Sequence, residues 1–551
     1  MLGQLFDRHW TTSDHDSKLA IHSHRLTMLY NRTFNFDSLK KLRLTINENL
    51  RVQRGGPELV PYIDVSNALG DVVARQNHAV FGRRGCGKTL LLHYSAQQLP
   101  DTIRPVYLNC EDFKKHSFPN VLIEILDALF AELERRLTGW FGKKKRSREL
   151  IRQIRKDLSE LRTRADQLEA EVREATAVQL KQTESTGIKV GNSALSLQTG
   201  DALEDLSKLE LERKYSSNQD KTRDLDMWLP RLKQQIREFF QLSSNVSAVY
   251  LQVDDFYFLK RSDQPLVMDY IHGLCKDLPL YFKVATLRHA STLYADRLGQ
   301  PLGAQERHDY QPINIDFTFS DFKKTASQNR KIFNEFGTRA GFKPGELVDE
   351  LFKGAGFDRL VLAGGGVPRD CLSLFLQILD AVQSPNGDGR IGKDDVRISS
   401  RANFEWRIEE LKQDSDGQEQ GILIRGIYVL RQFCLEKKRN VLLVSEGVLQ
   451  QNDRIRTLLY RLIDYRIVHS AGSALTHKSQ TGTFHAFAID IGCYAQMRKL
   501  EGRFTEIDLA GADAKERMRS GPILDEAGFS TLWTSAPADP ESALKAQEEA
   551  A

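Results

Sequence analysis

The chain has 551 residues, with 78 Lys and Arg against 74 Asp and Glu and a formal net charge of +4. At roughly 150 residues per unit it divides into three or four domains with ample core, and so even a charge balance confines any nucleic-acid surface to a local patch. The six cysteines form no C-x-x-C pair, which excludes a zinc ribbon and a disulfide framework and points to a reduced, cytoplasmic setting. No apolar run nears the roughly 20 residues a bilayer requires, and Met1 to Trp10 carries charges where a secretory leader needs an apolar stretch.

Residues 1–60 form a polar lead-in with helical character from Asp37 to Leu50. His15, Asp16, His22 and His24 lack the helical H-x-x-x-H spacing of a metal site. The next unit is expected over 61–319. The short segment Tyr62 to Leu69 precedes a strand at His78-Ala79-Val80-Phe81, which runs into Gly82-Arg83-Arg84-Gly85-Cys86-Gly87-Lys88-Thr89. This octapeptide fits G-x-x-x-x-G-K-[ST] at every fixed position, and the Leu-rich run after it supplies the helix the motif requires. Glycines let backbone N–H groups turn inward around phosphate, and the helix start adds its positive end. Lys88 is expected at the β- and γ-phosphates of ATP and Thr89 at Mg²⁺.

Pro105 to Cys110 predicts a second buried strand, and the apolar spacing of Leu122, Ile125, Leu126, Leu129 and Phe130 predicts a helix over Phe118 to Leu137. Alternating strands and helices argue for a parallel sheet covered on both faces. Ile151, Ile154, Leu158, Leu161, Ala165, Leu168, Val172 and Ala175 then follow a heptad seam. With a hairpin-like stretch at Gly187 to Leu197 and a second helix from Asp201 to Tyr215, this predicts an antiparallel coiled-coil finger inserted at 142–220. The finger is either an arm for a protein partner or oligomer contact, or a solvated spacer.

After a helix from Leu225 to Phe240, the apolar strand Ala248 to Val253 ends in Asp254 and Asp255. In this context Asp254 is a candidate Mg²⁺ carboxylate, and Asp255 falls where the residue that orients the attacking water is expected. Tyr281 to Thr286 is a further strand. Thr286, at its C-terminal edge, either contacts the γ-phosphate or lytic water or merely ends the strand. Arg288, Arg297 and Arg307 precede the last strand, Pro312 to Phe317; Arg307 is chosen as a candidate arginine finger toward a neighbouring subunit.

A helical lid is expected over 320–411. Its Gly364-Gly365-Gly366-Val367-Pro368-Arg369-Asp370 corner either aims Arg369 at the phosphates or leaves it in a solvent salt bridge. Ser384 to Asp395 departs from a calcium loop at both terminal ligand positions. Past a polar linker, Gln413 to Gln420, the helix, strand, helix, strand, strand order of 421–500 predicts a winged helix. Arg454, Arg456 and Arg461 on its second helix, with His477 and Lys478 in the loop, are the candidates for double-stranded DNA, against a domain used for protein contacts. Residues 501–551 form a tail, disordered from about Ser535.

Together, the GRRGCGKT loop, the YLQVDD strand, the polar strand end at Thr286, an Arg before the last strand, the GGGVPRD corner and the winged helix resemble the AAA+ ATPases of the origin-recognition initiator type, over residues 60 to 495. The resemblance implies an α/β fold: a P-loop NTPase parallel sheet with helical lid, coiled-coil insertion and C-terminal winged helix. It implies a homo-oligomeric, ATP-hydrolysing switch associated with DNA, with Arg369 as the lid's sensor arginine. Asp255 stands where active initiators usually carry Glu, which implies slow hydrolysis. The Asp-Asp pair and Gly366-x-Pro368 also look like the STAND class of signalling ATPases, which use bound ATP to hold an oligomer, with phage defence among the roles.

Overall fold

The computed structural model describes residues 36–52, 60–136, 145–162, 219–243, 245–297, 299–382, 389–415, 417–495 and 504–544. The body of the expected finger and the histidines His15, His22 and His24 lie outside them.

Five parallel strands form the central sheet: β1 (His78–Phe81), β2 (Ile103–Asn109), β3 (Ala248–Asp254), β4 (Leu280–Thr286) and β7 (Gln311–Asn314), in the order β2-β3-β4-β1-β7. Every residue of β1 and β3 is buried, as parallel strands covered on both faces require. Side-chain alternation divides β1 between two cores: Ala79 and Phe81 join one face, Val80 the other. The first face carries helices Asn120–Arg136, Gln219–Leu242 and Gln264–Cys275, and the second carries Ala68–Val72 and Lys88–Gln98. A hairpin absent from the sequence reading, β5 (Tyr294–Arg297) with β6 (Gln300–Gly303), stands between β4 and β7.

The first positions of the heptad seam do not project. Ile151, Ile154 and Leu158 are buried in the core of the first face, and Arg155 pairs with Asp127 at 2.8 Å and Glu134 at 3.1 Å on the neighbouring helix. A 3.5-residue spacing describes any helix with one apolar stripe, and here the stripe meets the domain's own helices.

Helices Phe322–Ala340, Leu347–Leu351, Gly356–Ala363, Pro368–Val382 and Lys393–Asp414 form a helical layer. Helix Phe36–Asn49 belongs to it, because Leu39, Leu42 and Ile46 share a core with Phe333 and Phe336; this part of the lead-in is therefore not solvated. Asp395, the last position of the rejected calcium loop, accepts from the Gly392 N–H at 2.7 Å and so caps a helix.

Helix Gly417–Glu436 begins inside the stretch expected as a polar linker. It is followed by β8 (Val441–Ser445), helices Glu446–Gln451 and Asp453–Asp464, and the hairpin β9 (Val468–Thr476) and β10 (Thr483–Ile489), giving an antiparallel sheet β8-β10-β9. The tail folds back onto this unit. Leu443 N–H donates to Pro522 O and Leu524 N–H to Leu443 O, both at 2.8 Å, which occupies the open edge of β8. Past helix Glu526–Ser535 the chain stays attached: Arg431 donates to the Leu544 carbonyl at 3.1 Å, so order extends beyond Ser535. Among the described residues no helix is long and apolar enough to cross a membrane.

Candidate functional site

The loop between β1 and helix Lys88–Gln98 turns through two left-handed glycines, Gly85 (φ 85°) and Gly87 (φ 94°). A Cβ on Gly85 would sit 2.7 Å from Arg369 Cβ and 2.9 Å from Val367, so the close approach also demands glycine. Lys88 is 5% exposed, and its ammonium donates to Gly82 O at 2.9 Å and Arg83 O at 3.4 Å. Burial lowers its pKa, and the carboxylate of Asp255 offers the largest opposing attraction.

The other loop side chains point outward from this cradle. Arg83 forks onto Asp316 at 2.6 and 2.8 Å, while its backbone N–H reaches the same carboxylate at 3.0 Å, tying the loop to the chain just past β7. Arg84 lies over the Tyr257 ring at 4.7 Å and pairs with Glu410, at 3.1 Å, and Asp414. Cys86 is buried, which raises its thiol well above the ordinary range. Arg83 and Arg84 therefore position the loop, and its amides with Lys88 and Thr89 are left to meet a ligand.

The parallel register brings the second carboxylate signature to the same sheet edge. Phe81, the last residue of β1, pairs with Thr286 of β4, and β3 on the far side of β4 ends at Asp254. Asp254 is buried and accepts from Tyr107 Oη at 2.9 Å and from Asp255 N–H at 2.9 Å, and its side chain hydrogen-bonds Thr89. Burial, then the charge of Asp255, pushes its carboxyl up to about 6. A buried carboxylate with surplus negative charge beside a hydroxyl is a hard oxygen pair that fits Mg²⁺. No group of three or more His, Cys, Asp or Glu that could hold a metal occurs among the described residues. Asp255 sits in a left-handed conformation (φ 50°, ψ 42°), directly after the carboxylate it repels. The Thr286 hydroxyl meets Ser291 Oγ, and the Thr286 carbonyl accepts from Gly82 N–H at 3.3 Å.

Arg369 reaches the loop from the helical layer. Its N–H approaches Gly85 O at 3.4 Å, burial lowers its pKa, and among the described residues its guanidinium has no ion pair. It lines a cleft that also borders Gly85 and Gly87 and is walled by Val60, Pro61, Leu90, Ile332, Phe336 and Leu372. Arg307 is exposed in a turn (φ 67°) leading into β7, whose first residue pairs with the start of β1. It is thus placed away from its own chain's phosphate loop. Arg288 pairs with Glu306 and Asn314 and lies over Phe81 at 4.0 Å.

A buried ionic cluster links the loop to the C-terminal unit. Arg407 binds Asp370 at 3.0 Å and also Asp490, while Arg466 binds Asp370 at 3.3 Å, Glu410, and the backbone carbonyl of Arg84 at 3.0 Å. His469 lies 3.1 Å from Asp490, and burial lowers its pKa to about 4.

The residues expected to meet DNA are engaged within the chain. Arg461 is 9% exposed and pairs with Glu419 at 2.7 Å; Arg454 lies over Trp533 at 4.3 Å; Arg456 pairs with Asp453; Lys478 pairs with Glu516 at 2.8 Å. His477 meets Gly521 O at 3.3 Å. The helix that carries the arginines docks its C-terminal end on the loop after β4: His289 stacks on Tyr460 at 4.5 Å and its N–H donates to Asp464 at 3.1 Å. In this conformation Arg461 is closed to a phosphate backbone, because its charge is spent on a carboxylate the sequence reading did not pair with it.

Sequence reasoning missed Tyr107, Asp316, Glu410, Arg407, Arg466 and Asp490. Each acts through a partner far along the chain, such as Asp316 at a sequence separation of 233 from Arg83, and no local pattern marks that pairing.

No protein-family model matches the chain, and no curated protein matches it. Among solved structures, the Walker-type ATPase PABY2304 of Pyrococcus abyssi aligns over 80% of this chain and 98% of its own, at 13% identity and a TM-score of 0.35. Two variants of RuvB from Thermotoga maritima align over 63% of this chain and 72% of their own, at 13% and 14% identity, each with a TM-score of 0.26. Similarity of this depth leaves the geometry of the site as the ground for a functional reading.

Proposed function

We propose that the chain is a Mg²⁺-dependent P-loop ATPase of the AAA+ type, in which nucleotide occupancy controls how the helical layer and a winged helix at 421–500 lie against the sheet. The observation that carries the reading is the convergence of Lys88, the Thr89–Asp254 pair and Arg369, which has no ion pair among the described residues, on one glycine-lined turn. The loop amides and Lys88 hold the phosphates, Arg369 adds a second cation from the helical layer, and Asp254 and Thr89 supply protein ligands for the ion. Bound Mg²⁺ neutralises charge on the phosphate oxygens. Asp255 and Thr286 are the candidates for orienting water, and the short reach of an aspartate there favours slow turnover. Arg307, exposed on its turn, is the candidate to act on a neighbouring copy.

For the partner, double-stranded DNA at helix Asp453–Asp464 and the β9–β10 loop is the first reading, and it requires the tail to release Arg454 and Lys478. The intramolecular pairing of Arg461 and Lys478 favours a second reading, a signalling ATPase whose C-terminal unit is sequestered until ATP drives assembly and contact with protein partners. Titration of labelled ATP against wild type and Lys88→Ala tests the site: binding abolished in the variant supports it, and equal binding refutes it. ATPase rates with and without duplex DNA, in wild type and with Arg454 and Arg456 replaced by Ala, separate the partner readings. Stimulation that is lost in the variant supports DNA, and rates indifferent to DNA reject it.

A further inference from the structure

The cleft beside Gly85 and Gly87 has one polar side chain that its own fold leaves unused. Gln328, in helix Phe322–Ala340, lines the cleft and is 5% exposed, yet its carboxamide has no hydrogen-bond partner among the described residues. Its polar atoms are not among those sealed from solvent without a partner, so they border the cleft rather than a dry void. Asn49, the other carboxamide in the lining, is already spent: it donates to Thr45 O at 2.8 Å and accepts from Val60 N–H at 2.8 Å. No carboxylate lines the cleft.

A carboxamide on the cleft wall that its own fold leaves unpaired is free to meet a ligand edge with one donor and one acceptor side by side. Adenine presents that edge, a 6-amino donor beside a ring-nitrogen acceptor, and a glutamine side chain matches it with two hydrogen bonds. Guanine brings a 2-amino donor as well, which the apolar walls formed by Val60, Leu90, Ile332 and Phe336 leave without an acceptor. Resting on the ATP-site reading above, we propose that Gln328 is the base-reading residue of the site: its carbonyl accepts from the 6-amino group of adenine and its amide donates to the adjacent ring nitrogen, which makes the site select ATP over GTP. Because Gln328 belongs to the helical layer while Pro61 and Tyr62 precede the phosphate-loop strand, a base held this way clamps the two parts together.

Equilibrium binding of ATP, GTP, purine riboside triphosphate (which lacks the 6-amino group) and inorganic tripolyphosphate to the full chain tests the proposal, in wild type, Gln328→Leu and Gln328→Glu. Wild type is expected to prefer ATP to both analogues by about tenfold to a hundredfold. Gln328→Leu should lower ATP affinity to that of the purine riboside compound while leaving tripolyphosphate binding unchanged, which also reports an intact phosphate loop. Gln328→Glu, which keeps an acceptor and loses the donor, should fall between. Wild type that does not discriminate, or Gln328→Leu that keeps the full preference for ATP, overturns the role of Gln328 alone. If wild type binds neither ATP nor tripolyphosphate, the ATP-site reading itself falls, and this proposal with it.

Discussion

Replacing Arg407 with methionine tests whether the buried ionic cluster holds the helical layer to the C-terminal unit. The Arg407 guanidinium is 0% exposed; it binds Asp370 through Nε at 3.1 Å, the Arg466 carbonyl at 2.9 Å, the Ala363 carbonyl at 3.2 Å, and Asp490. Methionine fills much of the same volume but donates nothing, so two carboxylates remain in the interior with one cation fewer. Removing one partner from a buried ion pair costs about 3–5 kcal/mol, because the remaining charge is left undercompensated. Asp370 keeps Arg466 at 3.3 Å, and Asp490 keeps His469 at 3.1 Å and the Gly492 N–H at 2.8 Å, which places the expected loss near the lower end, about 3 kcal/mol. Lys343→Met serves as the contrast, since its 3.6 Å pair with Glu346 is exposed on both sides and its loss should not register. A chain of several units need not unfold in one step, so urea denaturation followed by circular dichroism should be accompanied by hydrogen exchange resolved to β9, β10 and helix Lys393–Asp414. Faster exchange in those elements is expected for Arg407→Met alone. Losses that are equal in the two variants, or under about 1 kcal/mol for Arg407→Met, would refute the role assigned to the cluster.

Three further outcomes are expected. Gly85→Ala should abolish ATP binding and cost about 1–3 kcal/mol of stability, since φ is 85° and the new Cβ meets Arg369 Cβ at 2.7 Å; a variant that binds and melts like wild type contradicts the loop geometry. His469 has a folded pKa near 4 against an ordinary 6.5, so it favours the folded state fully above pH 6.5 and loses that contribution as pH falls toward 4. A shift of this size amounts to about 3 kcal/mol. Asp464, raised to about 6 from 3.8, works in the opposite sense as pH falls through that window, so the difference between wild type and His469→Gln across pH 7.5 to 5 isolates the histidine; parallel profiles reject the linkage. Asp464→Ala removes the acceptor for His289 N–H and should make the C-terminal unit more sensitive to protease without ATP, while unchanged digestion excludes that contact as a fastening.

The parts legible in the sequence were those whose cause is local. A glycine-spaced turn between an apolar strand and a helix specifies its own backbone, and the apolar run of β3 marks a buried strand whose last residue is Asp254. What the sequence hid was the identity of partners. Ile151, Ile154 and Leu158 have the same spacing whether they meet another arm or, as found, the domain's own helices. The stretch from about Ser535 reads as disordered from its Ala, Glu and Pro content, yet Arg425 donates to the Ala536 carbonyl at 3.2 Å and Arg431 to the Leu544 carbonyl at 3.1 Å, contacts written in neither segment alone. Charge was the least informative signal: Arg461 and Lys478 look like a basic face until Glu419 and Glu516 are placed beside them.

Two separate connections run from the candidate site into the C-terminal unit, and their strength limits what a nucleotide can do. One passes from the Arg84 carbonyl through Arg466 to Glu410 and Asp370; the other passes from Thr286 through Ser291 and its loop to Asp464 and Tyr460. A ligand shifts an equilibrium only by its difference in affinity for the two states, and a change from 1:99 to 99:1 needs about 5.5 kcal/mol of that difference. On the proposed reading Lys88 would meet phosphate in either state, because its cradle is built within the loop, and so would contribute little to the difference. Arg369 is otherwise, since it rides on the helix that also carries Asp370, and its distance from the loop changes with any movement of that helix. On the proposed reading, Arg369 therefore sets the coupling between nucleotide and C-terminal unit, while Lys88 sets affinity.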